Sequence, residues 1–507
     1  MDRRKSILNV STSVACKIIL LAGSIILRRI FINHLGLSLN GLNSLYVSVI
    51  GILSVAELGI GSAISFSMYE PIVNGDTERV ASLYRLFKRA YLVIGTSMLL
   101  GGLAITPFLP YLVRDGGGVN TNIYLSFVIF LVSVALGYTF NARLSLISAY
   151  KNNYISTLIQ SGALLFQYAL QCAAVLITKS FEWYLACGLV SSALLYLVSG
   201  ISVKRLHKDI LSVTPGRLES TERECVKSNV KAMLMHKIGG ALVNSTDSVI
   251  ISAFIGISVL GSYTNYAVIV NNVTAILTLA FTSLTSVVGH AFAKSRERAR
   301  EYFLKFYSAN FVIGSVFFLG FYATCDYLVK LLFDTDSQMG REFLFVMTLN
   351  YFIQFLRQAA LTFRDGTGTF YRDRYKPAFE GGLNLILSVA LAILLRDHYG
   401  NEYGAIGVIL ATVITNLFIC HTVEPYVLFK YAFSESVKHH LMRNYIYIGL
   451  FTFALLWESR LLRTDLTGWR GIFINGGISV FASLILILTV LLFDKQLRNT
   501  FYFRSKK

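Results

Sequence analysis

Apolar residues in this chain come in long blocks, and polar residues gather in short stretches between them. Blocks of about 20 residues nearly free of charge recur from end to end, each long enough to cross the roughly 30 Å hydrocarbon core of a bilayer as a helix. Fourteen such segments are predicted, near residues 7–33, 43–70, 90–113, 122–140, 155–178, 183–203, 231–255, 261–290, 306–333, 340–363, 378–396, 403–429, 444–463 and 469–493. The pattern therefore predicts an all-α integral membrane protein with 14 transmembrane helices.

Composition supports that reading. Of 507 residues 54% are hydrophobic and only 15% charged, with mean hydropathy +0.59, which is too apolar for a soluble enzyme of this size. The net charge of +18 does not imply nucleic-acid binding, because that needs a basic surface on a soluble domain. Here the charges fall in short stretches such as "AKSRERAREYFLK", suited to anionic lipid headgroups. Most Lys and Arg lie on one side when both termini are placed in the cytoplasm, so the positive-inside rule sets that orientation. The first segment follows Arg3, Arg4 and Lys5 but is too long for a signal peptide, is broken by Lys17 and lacks a small-residue cleavage site, so it is read as retained. Six scattered cysteines, without C-x-x-C spacing, support neither a metal site nor a disulfide framework. No cofactor is expected.

The phrase "HLGLSLNGLNSLY" from His34 returns as "FIGISVLGSYTNY" from Phe254, with Gly36, Ser38, Gly41 and Tyr46 matching Gly256, Ser258, Gly261 and Tyr266. The same register aligns Lys17 with Lys237, "AYLVIG" at Ala90 with "ANFVIG" at Ala309, and "YKNNY" at Tyr150 with "YRDRY" at Tyr371. Six segments per copy is an even number, so both copies enter the membrane alike and form a parallel repeat. The expected organisation is an N-lobe at 1–205, a cytoplasmic linker at 206–227, a C-lobe at 228–430, and segments 13 and 14 with a tail at 431–507. The glycine-rich phrase is expected to be the tight outer turn between the first two helices of each lobe.

Polar stripes run along several segments. Ser13, Lys17, Ser24 and Arg28 fall within about 40° at 100° per residue, and the repeat puts Lys237, Asn244 and Ser248 at the equivalent places. Segment 8 carries Thr274, Thr278 and Thr282 on one face, and segment 10 carries Asn350, Gln354 and Arg357. A cation at mid-bilayer costs on the order of 2.5 to 3.5 kcal/mol on insertion scales. A water-filled cavity is expected to hold Lys17, Lys237 and Arg357; pairing with Glu57 or Asp247 is the competing account, and Arg28 could equally snorkel to the interface. Cations beside amides and hydroxyls suit a cargo with phosphate oxygens at one end and sugar hydroxyls elsewhere. The expected substrate contacts are Lys17, Arg28, Lys237, Asn244, Thr278, Thr282, Gln354 and Arg357.

Four phrases, "SVAELGIGSAISFSMYEPI" from Ser54, "HKIGGALVNSTDSVIISAFIGISVLGSYTNY" from His236, "FYRDRYKPAFEGGLNLILS" from Phe370 and "VEPYVLFKYAF" from Val423, occur in order. Together they resemble the polysaccharide transporter branch of the multidrug/oligosaccharidyl-lipid/polysaccharide exporter superfamily, and the resemblance covers nearly the whole chain. It implies a flippase in the bacterial plasma membrane that moves undecaprenyl-pyrophosphate-linked oligosaccharide repeat units to the outer leaflet by alternating access, for capsule, exopolysaccharide or O-antigen. It also implies Na+ or H+ coupling, with Asp247, Glu380, Asn384 and Thr412 as candidate ion contacts and Glu57 as a further acidic candidate. Asp247 and Glu380 lie toward opposite ends of their segments, which counts against one shared site. Segments 13 and 14 are expected to form a groove for the lipid tail. Partners are the bilayer, the lipid-linked substrate and glycosyltransferases or a polymerase of the same pathway; a monomer is expected and no nucleic acid.

Two alternatives stay open. A cation-coupled multidrug exporter of the same superfamily would be expected to have twelve helices and an acid-rich cavity. A membrane polymerase or ligase would need a large outer loop and paired carboxylates; the longest outer connection, around "RDGGGVNTN", is short, and no enzymatic activity is expected. The Glu70-Pro71 and Glu424-Pro425 pairs are read as helix boundaries. The stretch "TERVASLYRLFKRA" from Thr77 is read as a basic amphipathic helix on the inner leaflet.

Overall fold

The computed structural model describes residues 3–54, 60–116, 119–150, 152–214, 216, 245–282, 284–334, 338–373, 375–494 and 498, without the side chains of a few of them, Thr282 included. The candidate positions Glu57, Lys237 and Asn244, and most of the expected linker, lie outside the described residues.

All regular structure among the described residues is helical, as the apolar blocks predict. In chain order the helices are α1 (Arg3–Leu35), α2 (Leu37–Leu53), α3 (Ile60–Asn74), α4 (Thr77–Ile105), α5 (Ile123–Ala149), α6 (Asn153–Thr178), α7 (Phe181–Leu206), α8 (Lys208–Ser212) and α9 (Ser245–Ile255). They continue with α10 (Ile257–Thr282), α11 (Thr285–Lys294), α12 (Arg296–Phe333), α13 (Gly340–Leu356), α14 (Gln358–Thr367), α15 (Lys376–Tyr399), α16 (Asn401–Phe433), α17 (Lys438–Leu461) and α18 (Gly468–Phe493). Eight helices among the described residues are long and apolar enough to cross a membrane. The protein is thus a multi-pass membrane protein.

Local chemistry sets the helix starts. Asp76, Asn122, Ser180 and Ser295 each accept a backbone N–H at the head of α4, α5, α7 and α12, the capping expected of short polar side chains. Two expectations change here. The stretch from Thr77 is the unbroken first half of α4, with Val80, Leu83, Tyr84 and Phe87 buried, so it packs as part of that helix and is not a separate interfacial one. Pro71 and Pro425 lie inside α3 and α16, not at helix ends. In α16 the interruption is absorbed by widened π turns at Asn416–Cys420 and Leu428–Phe433, which bracket the residue whose ring leaves the His421 carbonyl without its helical donor.

The chain forms two compact units, Met1–Gly261 and Ser262–Lys507. In the first, α1 packs on α6, and α5 packs on α4 and α7. Tyr46, Phe87, Phe127 and Phe181 are fully buried there, and the Tyr46 hydroxyl meets the Ser126 hydroxyl at 2.8 Å.

The repeated phrases meet inside this same unit. Gly36 and Gly256 supply turns with φ of +86° and +156°, as the sequence predicts. Gly41 and Gly261 do something else: a Cβ on Gly41 would lie 2.0 Å from the Ile257 carbonyl oxygen, and one on Gly261 would lie 2.1 Å from that of Leu37. The two contacts are the same contact read in each direction of the repeat. Between them the Ser38 and Ser258 hydroxyls are 2.8 Å apart.

In the second unit α12 packs against α13 and α18, and α15 against α16. The Phe352 and Phe451 rings stack 3.5 Å apart between α13 and α17. Arg357 stands at the junction of α13 and α14.

Candidate functional site

The most concentrated polar chemistry among the described residues lies in the second unit, where α15 and α16 pack on the α13–α14 junction. Arg357 Nε and Nη2 donate to Glu424 Oε2 and Oε1 at 3.1 and 2.6 Å, and Nη1 donates to Asn416 Oδ1. Lys376 Nζ donates to Glu424 Oε1 at 2.5 Å and to Cys420 Sγ at 3.3 Å. It also pairs with Glu380 Oε2 at 2.9 Å, while Arg357 Nη1 lies 3.7 Å from Glu380 Oε1. Two cations and two carboxylates thus form one closed cluster with no net charge. Glu424 is 1% exposed, so each charge depends on its partners for what water would otherwise provide.

Helix spacing explains the assembly. Lys376 and Glu380 are one turn apart on α15 and face each other. Asn416, Cys420 and Glu424 repeat every four residues along α16, so one stripe of that helix carries every contact it makes to the two cations. One turn further along α15, Asn384 Nδ2 donates to the Thr412 and Thr415 hydroxyls at 3.0 and 3.3 Å, and its Oδ1 has no partner among the described residues.

A second polar cluster adjoins the first. His421 lies between Asn444 Oδ1 at 2.9 Å and the Ile353 carbonyl at 3.0 Å, and the Tyr307 hydroxyl donates to the same Asn444 oxygen at 2.6 Å. On α17, Arg443 donates to Asp494 at 2.6 Å and to Ser308 at 2.6 Å. These contacts tie α12, α13, α16 and α17 together by polar side chains.

The structure distributes the expected site residues as follows. Arg357, Glu380, Asn384 and Thr412 are brought into or next to the buried cluster. Arg357 is charge-paired, with Glu424 at 2.6 Å and Glu380 at 3.7 Å. Gln354, one turn before Arg357, donates to Asn350 at 3.0 Å. Thr278 is half-buried on α10. In the first unit, Lys17 is exposed on α1, with no hydrogen bond or ion pair among the described residues. Arg28 is half-buried beside Tyr184. Asp247 is half-buried on α9. No group of three or more His, Cys, Asp or Glu that could hold a metal ion occurs among the described residues.

Three central members, Lys376, Asn416 and Glu424, were missed by sequence reasoning. A signal was there: "KPAFE" places opposite charges four apart, and the Glu-Pro of "VEPYVLF" lies in an otherwise apolar block.

No protein-family profile matches the chain, and no curated protein sequence does. Solved structures do. A lipid II flippase, MurJ, in an inward closed conformation aligns with TM-score 0.64 at 12% identity, over 96% of this chain and 99% of that one. An inward-facing multidrug resistance MATE family transporter of the MOP superfamily aligns with TM-score 0.63 at 14% identity, over 80% of this chain and 95% of that one. A MOP superfamily transporter from Pyrococcus furiosus Vc1 aligns with TM-score 0.54 at 15% identity, over 86% of this chain and all of that one. The chain has the fold of these membrane transporters.

Proposed function

We propose that this protein is a flippase, which carries an undecaprenyl-pyrophosphate-linked oligosaccharide from the inner to the outer leaflet of a bacterial plasma membrane. The observation that carries the reading is the extent of the fold match. Agreement with MurJ extends over 96% of this chain, a share that cannot be reached without α17 and α18, whereas the match to the multidrug MATE transporter leaves a fifth of the chain over. Those two helices are the expected place for a polyprenyl tail, which a small hydrophilic drug does not have.

In this reading Lys17, Arg28 and Lys237 attract the pyrophosphate, and Asn244, Thr278, Thr282 and Gln354 offer hydrogen bonds to sugar hydroxyls. Arg357, held by Glu424, Glu380 and Asn416, anchors the surrounding helices rather than offering the substrate a free donor. Na+ or H+ would drive the cycle, with Asn384 and Thr412 among the ion contacts.

The direct test is reconstitution of the full chain into liposomes carrying a fluorescent polyprenyl-pyrophosphate oligosaccharide, with leaflet exposure read by a membrane-impermeant quencher. Protein-dependent translocation supports the proposal. Absent translocation together with raised drug susceptibility in a deletion strain would favour the multidrug exporter instead.

A further inference from the structure

Glu458 lies on α17, less than one turn before that helix ends at Leu461, and is 0% exposed. Among the described residues neither of its carboxylate oxygens makes a hydrogen bond by distance and angle, and no cation pairs with it. The polar side chain beside it is the Ser479 hydroxyl of α18. On α18 the buried residues Asn475, Ser479 and Ser483 follow one another at four-residue spacing, so they make a polar file along the face turned into the protein. Asn475 is bound at the loop end of this file, donating to the Arg463 carbonyl and the Tyr327 hydroxyl, both at 2.9 Å. At the other end, Ser483 Oγ and Ser315 Oγ of α12 are buried without hydrogen-bond partners among the described residues. The helices are close here: a Cβ on Gly320 of α12 would lie 3.6 Å from Ser479 Oγ.

Among the described residues the charged surroundings offer Glu458 no paired counter-ion. From α12, Tyr322 lies within its electrostatic reach, and Asp326 beyond is engaged by the Tyr266 hydroxyl at 2.7 Å. Arg341 at the start of α13 acts on Tyr322 and Asp326. On α16, His421 and Glu424 belong to the clusters built at the Asn444 end of α17. Arg460 of α17 and Arg470 of α18 are exposed, and Arg463 is paired with Asp465 in the loop at 3.2 Å.

An ionised carboxylate sealed among helices with no counter-ion among the described residues, and only one hydroxyl beside it, is very costly, and a bound proton is the smallest species that removes the charge. A metal cation would need several oxygen ligands, and Glu458 belongs to no cluster of three or more His, Cys, Asp or Glu among the described residues. We propose that Glu458 is an exchangeable proton-binding site, filled from water at the α17–α18 loop along the Asn475–Ser479 file. When the proton leaves, the carboxylate needs more hydration than the single Ser479 hydroxyl beside it supplies, so proton release loosens the packed α12–α17–α18 contact. Protonation of Glu458 and the seating of these two helices are thereby linked.

Infrared difference spectra of the full chain in phosphatidylethanolamine/phosphatidylglycerol vesicles, recorded between acidic and alkaline pH, test this. The expected result is a protonated-carboxyl C=O band that disappears on raising pH and is lost in Glu458→Gln, together with increased amide exchange in α17 and α18 at the alkaline end. The same site should take up dicyclohexylcarbodiimide in the wild-type protein, with labelling that falls as pH rises, a reading independent of how the variant folds. A band that persists unchanged at every pH, spectra identical in wild type and Glu458→Gln, or no carbodiimide adduct on Glu458 would each overturn the proposal.

Discussion

Arg357 and Glu424, 67 residues apart in sequence, are joined by two charge-assisted hydrogen bonds of 3.1 and 2.6 Å, and Lys376 shares the same carboxylate. Removing one member of a buried pair leaves the others without compensation, at a cost of about 3–5 kcal/mol. Glu424→Gln should therefore lower the midpoint of thermal unfolding in detergent sharply. Arg357→Met combined with Glu424→Leu should lose less than the two single changes added together, as a double-mutant cycle would read out.

The reciprocal glycines make a second case. Alanine at Gly41 or Gly261 would push a methyl into a carbonyl oxygen at 2.0 or 2.1 Å, so the helices must part, and each change should cost about 1–3 kcal/mol as overpacking does. Gly449→Ala is the control. No atom lies within 4 Å of its added methyl, and replacing a helical glycine there should gain up to about 1 kcal/mol.

His207 should make stability pH-dependent. It sits just beyond α7, buried against the Tyr150 ring at 4.3 Å, and burial lowers its pKa from the ordinary 6.5, with Asp209 opposing in part. An unfolded chain takes up the proton near pH 6.5 and the folded chain only below it. Stability from this residue is thus complete above 6.5 and declines as pH falls through that value. His207→Gln should flatten the acid limb of a plot of unfolding midpoint against pH.

Lys17 separates function from stability. It is exposed and makes no hydrogen bond or ion pair among the described residues, so Lys17→Ala should change stability by no more than about 0.5 kcal/mol. The same change should reduce translocation of the pyrophosphate-linked probe at least tenfold. Unchanged translocation would remove Lys17 from the substrate path.

The fold was legible in the sequence because bilayer thickness forces apolar blocks of a fixed length, and those blocks mark α4 to α7, α12, α15, α16 and α18 directly. Helix continuity was less visible. The charged first turns of α4 and α12 read as surface stretches, since periodicity does not tell where a helix leaves the membrane and simply carries on. At the site, Arg357, Glu380, Asn384 and Thr412 stood out as polar residues in apolar surroundings. Their true partners did not, because pairing between α13, α15 and α16 depends on how the helices pack, and Glu424 looked like ordinary helix punctuation beside its proline. Gly41 and Gly261 were noticed for turn formation, but their closeness to a facing backbone is a tertiary fact with no local signature.

The closed ion cluster also bears on the order in which the chain is made. Lys376 and Glu380 emerge from the ribosome together and neutralise one another within a single turn. Arg357 emerges earlier, and its main counter-charge arrives only after a further 67 residues have been synthesised. The α13–α14 junction can therefore gain a first counter-charge from Glu380 of α15, but its full set only once α16 has been made, so that one late glutamate closes the cluster.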